Sequence, residues 1–127
     1  MKYSYDKELT IKAREIAVTL GFEHVVLERI HCLKSNGSKT KRTIARIHGL
    51  SKAVQLGLSV KPAYVIEFLS EKFDKLKEDD QIKTIIHELM HVPHSFGGGF
   101  RHHKNFVTRN NVEKAFQEYR ERKKLQA

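Results

Sequence analysis

Near the start of the chain, apolar residues recur at a spacing close to that of a helix. Over residues 7–20 they could share one helical face, and Gly21 follows them as a stop signal. The apolar positions are Leu9, Ile11, Ala13, Ile16, Ala17 and Leu20. The pattern predicts an N-terminal helix.

Two segments with the character of β-strands follow this helix. Residues 24–33 are rich in β-branched and aliphatic side chains. In residues 41–48 two sets of side chains alternate along the chain: Thr43, Ala45 and Ile47, and Ile44, Arg46 and His48. Between them, residues 35–38 contain Asn36-Gly37, a dipeptide that favours a β-hairpin. We therefore predict that the two strands pair as a hairpin with a loop longer than two residues.

The second half of the chain contains a short helix, a strand and two longer helices. Residues 50–58 are predicted to be helical, and residues 63–69, after Pro62, form an apolar run typical of a third strand. Residues 108–123 are predicted to form the last helix. Its inward-facing residues would be Val112, Ala115, Phe116 and Tyr119.

The clearest element is the helix that begins near Asp79. Its apolar positions repeat at intervals of 3, 4, 7 and 8, which makes one buried stripe. These positions are Ile82, Ile85, Ile86, Leu89 and Met90. Asp79 and Asp80 are predicted to cap its start, and Pro93 to end it by biasing Val92 away from helical angles.

These elements indicate an α+β fold. A small antiparallel or mixed sheet of about three strands would pack against the helix that begins near Asp79 and against the N- and C-terminal helices. No repeat, linker or low-complexity segment divides the sequence. Residues 1–127 are therefore predicted to form a single domain.

Charge and cysteine content narrow the class of protein. The chain has 24 Lys and Arg against 15 Asp and Glu, a net charge of +9 that attracts polyanions. Cys32 is the single cysteine, so an intramolecular disulfide is excluded, as is common in a reducing compartment. With neither a signal-peptide core nor a membrane-spanning run in the sequence, a cytoplasmic location is expected.

The predicted helix carries the motif His87-Glu88-Leu89-Met90-His91. Residues four apart lie on one helical face, so both imidazoles can reach one Zn²⁺ ion at about 2.0–2.1 Å. Glu88 would lie beside the ion, where it can take a proton from bound water and pass it to a leaving amine. The spacing thus supplies two metal ligands, His87 and His91, and a general base, Glu88.

A catalytic zinc ion usually has a third protein ligand and one open position. The downstream candidates are His94, His102, His103, Glu113 and Glu118. The glycine turn 97–99 can fold the chain back towards the metal. Because adjacent residues of an extended chain point in opposite directions, only one of His102 and His103 should be a ligand.

From about Thr43 onward the sequence closely resembles the metallopeptidases encoded by archaea and phages, and more distantly the SprT-like minimal zincins. The resemblance is carried by short segments around the motif. They are Arg46-Ile47-His48-Gly49-Leu50, Ala63-Tyr64-Val65-Ile66, Ile86 to Pro93, Phe96-Gly97-Gly98, Arg101-His102-His103-Lys104 and Val107-Thr108-Arg109.

This resemblance implies a compact zincin-like fold and a zinc-dependent peptidase. It implies His103 as the third metal ligand, at the family's Arg-Pro-His position, although His102 stands where the family usually has Pro. A SprT-like alignment selects His102 instead. In zincins the strand before the active helix offers its edge to an extended substrate, so Tyr64, Val65 and Ile66 are expected to bind the peptide by β-augmentation.

Two alternatives remain open from the sequence. The first is a basic, nucleic-acid-associated zinc protein with little or no peptidase activity, contacting DNA or RNA through its clustered cations. These cations are Lys34, Lys39, Lys41, Arg42 and Arg46 and, near the C-terminus, Arg120, Arg122, Lys123 and Lys124. The second is a structural zinc protein, in which a fourth ligand such as His94 or Cys32 would close the site.

Overall fold

A four-stranded mixed sheet forms the centre of the computed structural model, which describes residues 1–93, 96–97, 100 and 106–126. The strands are β1 (Lys2–Tyr5), β2 (Ile30–Asn36), β3 (Ala45–Gly49) and β4 (Tyr64–Leu69). Their order across the sheet is β1-β2-β4-β3. β4 is parallel to β2 and antiparallel to β3, and β1 is antiparallel to β2.

Five α-helices accompany the sheet in the described residues. They are α1 (Lys7–Thr19), α2 (Lys52–Leu58), α3 (Ser70–Phe73), α4 (Glu78–Met90) and α5 (Arg109–Gln126). α1 packs against β2 and α4, and α4 also packs against α5. None of these helices combines the length and the apolar character required to cross a membrane.

The hydrophobic core lies on the helical side of the sheet. Alternate residues of β2 and β4, among them Ile30, Cys32, Tyr64, Ile66 and Phe68, are fully buried there. They meet the apolar stripes of the helices, including Ala13, Ile16, Ile85, Ile86, Leu89 and Phe116. Side chains alternate between the faces of a strand, so the intervening residues of β2 and β4 project to the opposite face.

The local predictions that rest on strong periodicity are confirmed. α1, α2, β4, α4 and α5 lie where the sequence predicts them, and the fold is α+β. Asp79 and Asp80 do not cap α4. Lys77 occupies the N-cap position, while the two aspartates lie in the first turn. There their charge is favourable near the positive end of the helix dipole.

The predicted hairpin is wrong. β2 and β3 do not pair, because β4 lies between them. β2 extends to Asn36, and Gly37 then adopts φ +88° and ends the strand. The turn chemistry of Asn36-Gly37 fixed where the chain bends but not which strand would become the neighbour. The parallel pairing of β2 with β4 buries the apolar residues of both strands in one core.

The strand count and the substrate-edge prediction also need correction. β1 was not predicted, because it has only four residues and none of them is buried, so the alternation of Tyr3 and Tyr5 was too short to mark a strand. β4, with Tyr64, Val65 and Ile66, is a central strand that is paired on both sides. Its backbone groups are engaged in the two ladders, so it cannot offer an edge. The edge strands of this sheet are β1 and β3.

Candidate metal centre and cleft

The last turn of α4 carries the three residues of the metal motif. Ile82, Ile85, Ile86 and Leu89 direct one stripe of the helix into the core. That orientation leaves His87 and His91 together on the flank of the helix. His87 is half-buried and His91 is buried, with 8% of its surface exposed. His91 is the C-cap residue and keeps helical angles, so the one-turn spacing is preserved.

The two imidazoles converge. The Nε2 atoms of His87 and His91 lie 3.3 Å apart, and the ring centroids are 5.1 Å apart. Two nitrogen ligands of a tetrahedral zinc ion, each about 2.0–2.1 Å from it, are separated by roughly 3.3–3.4 Å. The observed separation therefore fits a pair of ligands on one ion without rearrangement of the helix.

The described residues do not bring a third candidate metal ligand to His87 and His91. In the parts of the chain that the structure describes, no group of three or more His, Cys, Asp or Glu side chains could hold a metal ion. Glu113 pairs with Lys83 at 2.9 Å, and Glu118 pairs with Arg122. The predictions for His94, His102 and His103 lie outside the described residues.

Cys32 does not join the histidines. It is fully buried in β2, on the face of the sheet that forms the core. Burial raises the pKa of its thiol to about 12, which keeps the thiol protonated and unreactive. Within the described residues, Cys32 therefore belongs to the core rather than to a closed structural metal site.

Glu88 is a buried carboxyl beside the two histidines. Only 6% of its surface is exposed, and burial raises its pKa to about 8. Removal of water disfavours the ionised form, which makes the carboxylate a stronger base than one at the surface. A general base or acid works best when its pKa is close to the operating pH. The environment of Glu88 is therefore suited to proton transfer.

A cleft of about 710 Å³ opens over this part of α4. Its size is within the range of pockets that bind small ligands or short peptide segments. His87 and Glu88 lie in its α4 wall, together with Asp80, Lys83 and Thr84. Other walls are formed by residues 42–45, which lead into β3, and by Val107, Arg109, Val112 and Glu113 near the start of α5.

Most of the cations singled out in the sequence are paired with acidic groups. Lys34 contacts Asp74 at 2.8 Å, and Arg46 contacts Glu67 at 2.9 Å. Near the C-terminus, Arg122 pairs with Glu118, Lys123 with Glu15 at 3.5 Å, and Lys124 with Glu121 at 3.6 Å. Nucleic-acid binding therefore stays a prediction, to be tested by gel shift across a range of salt concentrations.

Sequence reasoning missed Glu67, which is fully buried in the middle of β4. Its carboxylate accepts hydrogen bonds from Ser35 Oγ at 2.5 Å, Arg46 Nε at 2.9 Å and Arg46 Nη2 at 3.0 Å. It also lies 2.8 Å from His48 Nε2. The available signal was a single acidic residue in the otherwise apolar run 63–69, since such a charge requires partners when it is buried.

Comparison with protein families gives a match over almost the whole chain. The model of a family described as "Putative phage metallopeptidase" matches residues 1–124. Comparison with curated proteins gave no match, and comparison with solved structures gave none either.

Proposed function

Because the chain belongs to the phage metallopeptidase family, we propose that it is a zinc-dependent peptidase in which Glu88 acts as general base and then general acid. The family supports a peptidase that uses a metal ion. The choice of zinc and the roles of the residues are our proposal. The observation that carries it is the 3.3 Å approach of two imidazole nitrogens beside a buried carboxyl.

His87 and His91 would hold the ion through their Nε2 atoms, with His103 as third ligand and His102 as the alternative. When bound, the zinc ion supplies a Lewis acid that polarises the scissile carbonyl and lowers the pKa of water towards neutrality. The rigid support is α4, whose buried stripe fixes the direction of both imidazoles. Ligands held in place by the packing of a rigid helix are typical of a preorganised site.

Glu88 would accept a proton from the attacking water and donate it to the departing amine. Its burial keeps bulk water away from the carboxyl, and its raised pKa makes protonation near neutral pH accessible. Both properties favour a group that takes and returns one proton during each turnover.

The substrate would be an extended peptide that lies along β3. β3 pairs with β4 on one side only, and an edge strand has backbone N–H and C=O groups that can pair with an added strand. Residues 42–45, at the start of β3, form part of the cleft that contains His87 and Glu88. β3 thus takes the place that the sequence analysis assigned to β4.

The decisive experiment is metal analysis of the purified chain and of three variants. We expect about one zinc ion per wild-type chain and loss of most of it in His91→Ala and His103→Ala, because structural and catalytic zinc require their full ligand set. His31→Ala is the matched control, since His31 lies on β2 and contacts the Tyr5 hydroxyl at 3.1 Å. Full zinc retention in His91→Ala would contradict the proposal.

A further inference from the structure

Glu67 and its three partners, Ser35, Arg46 and His48, form what we call the Glu67 cluster. The cluster joins three adjacent strands on the face of the sheet that lies opposite α4. Tyr64, Ile66 and Phe68 of β4 enter the core, so Glu67 projects to the other face. There it accepts hydrogen bonds from Ser35 on β2 and from Arg46 on β3, and its Oε1 lies 2.8 Å from His48 Nε2, also on β3. A single carboxylate of the central strand β4 therefore contacts the edge strand β3 at two positions, Arg46 and His48.

Glu67 is a fixed anion. Burial alone would raise its pKa, but the hydrogen bonds from Arg46, Ser35 and His48 together outweigh burial and lower the pKa to about 2. Arg46 approaches with two nitrogens, at 2.9 and 3.0 Å, which is the bidentate geometry that fixes direction as well as distance. The carboxyl of Glu67 therefore remains ionised at neutral pH.

β3 depends on this fastening more than the other strands of the core do. It has only five residues, it lies at the edge, and none of its side chains is fully buried. Short edge segments with few buried contacts open at a lower free energy than the rest of a domain. Its antiparallel register runs from Ala45 opposite Phe68 to Gly49 opposite Tyr64. Arg46, directly opposite Glu67, is next to the first of these pairs.

We propose that Glu67 is a positioning residue for the peptide substrate, because it holds β3 in register at the rim of the cleft through Arg46 and His48. The inference rests on the proposed peptidase function. Residues 42–45 lead into β3 and line the cleft, so displacement of the strand would move the wall against which an extended peptide aligns. Glu67 itself does not line the cleft, and it acts on the substrate only through β3.

Glu67→Gln tests the proposal, because it keeps the shape of the side chain and removes the charge that the side chains of Ser35, Arg46 and His48 share. With a library of internally quenched fluorogenic peptides and the zinc-loaded enzyme, we expect the KM of the best-cleaved peptide to rise about tenfold. The kcat should stay within about twofold, because His87, Glu88 and His91 lie on α4 and keep their support. Hydrogen exchange of the amides of β3 should become at least tenfold faster.

Two further variants separate positioning from general stability. Glu15→Gln is the matched control, because Glu15 also accepts hydrogen bonds, from Tyr119 at 2.6 Å and Thr19 at 2.8 Å, but between α1 and α5. It should lower the Tm without changing the KM or the exchange of β3. Arg46→Lys keeps the cation and loses the bidentate contact, so its KM should rise above the wild-type value by less than in Glu67→Gln. The comparison of Arg46→Lys with wild type tests the proposal even if Glu67→Gln folds poorly.

The outcomes are distinguishable. No cleavage of any library member by the zinc-loaded wild type overturns the proposed function, and the positioning role with it. Cleavage by the wild type, with an unchanged KM in Glu67→Gln and Arg46→Lys, overturns the positioning role alone. A rise in KM of the same size in Glu15→Gln also overturns it, because destabilisation of any part of the fold would then explain the effect.

Discussion

Glu88 and Glu67 are both buried carboxyls, with 6% and 0% of their surface exposed, yet their pKa values are shifted in opposite directions. Glu88 lies on α4 in the cleft, and burial raises its pKa to about 8. Glu67 lies on the other face of the sheet, where burial would also raise its pKa, but the hydrogen bonds from its neighbours prevail and lower it to about 2. The difference shows that hydrogen-bonding partners decide whether burial leaves the pKa of a carboxyl raised or lowered.

The largest expected effect follows from replacing Glu88, the proposed general base. Glu88→Gln should keep about one zinc ion per chain and lower kcat by about 10³-fold, because general acid–base catalysis contributes roughly 10²–10⁴-fold. Steady-state cleavage of a fluorogenic peptide, with metal analysis of the same sample, measures both quantities. Glu121→Gln, at an exposed position of α5 outside the cleft, is the control and should retain most of the activity. Full turnover by Glu88→Gln would remove Glu88 from the mechanism.

Removal of the fixed anion should affect stability more than any exposed carboxylate does. Glu67→Ala leaves the buried hydroxyl of Ser35 without its acceptor, whereas the partly exposed guanidinium of Arg46 can turn to water, so we expect a loss of about 2 kcal/mol. Urea unfolding of the metal-free protein measures the change. Glu121→Ala, which removes an exposed partner of Lys124, should cost less than about 0.5 kcal/mol. Equal losses in the two variants would show that the Glu67 cluster contributes no special stability.

The pH dependence of stability provides a third test. The folded-state pKa of Glu67 is lower than its unfolded value, so its contribution is fully present above about pH 5 and is lost as the pH falls towards 2. Over that window the wild type should lose about 2 kcal/mol more than Glu67→Gln, which has no carboxyl to protonate there. Urea unfolding at several values of pH compares the two proteins. If the free energies of unfolding of the two proteins change with pH by the same amount, the carboxyl of Glu67 is not a stabilising anion.

The smallest effect concerns geometry rather than charge. Arg46→Lys keeps a cation near Glu67 but replaces two guanidinium contacts by one ammonium contact, so we expect a loss of about 1 kcal/mol in the free energy of unfolding. Lys123→Arg, at the exposed contact with Glu15, is the opposite exchange and should be neutral. If Arg46→Lys leaves the free energy of unfolding unchanged, a positive charge at position 46 is enough to hold β3 in place.

The sequence predicts those parts of the molecule that depend on neighbours in the chain. α4 and its motif lie within a few turns of one helix, so the apolar stripe and the four-residue interval of His87 and His91 are enough to place both imidazoles. α1 and β4 follow from local pattern for the same reason. The proposed third ligand, His103 with His102 as the alternative, rests on the family resemblance and lies outside the described residues, so it stays a prediction.

Strand order and the Glu67 cluster depend on residues far apart in the chain. Asn36-Gly37 marks a bend, but the pairing of β2 with β4 is decided by how Ile30, Cys32 and Ile66 share one core. The partners of Glu67 come from positions 35, 46 and 48, and no sequence interval links them to it. A lone acidic residue in an apolar strand predicts that partners exist, without naming them.

The insertion of β4 between β2 and β3 has a consequence for the order of events on the ribosome. Synthesis is vectorial, so β3 leaves the exit tunnel about twenty residues before the strand that it needs as a neighbour. Until β4 has been made and has docked beside β2, β3 has no strand to pair with. β3 thus gains its neighbour only after translation has passed residue 69, and α4 is made next, after the short helix α3.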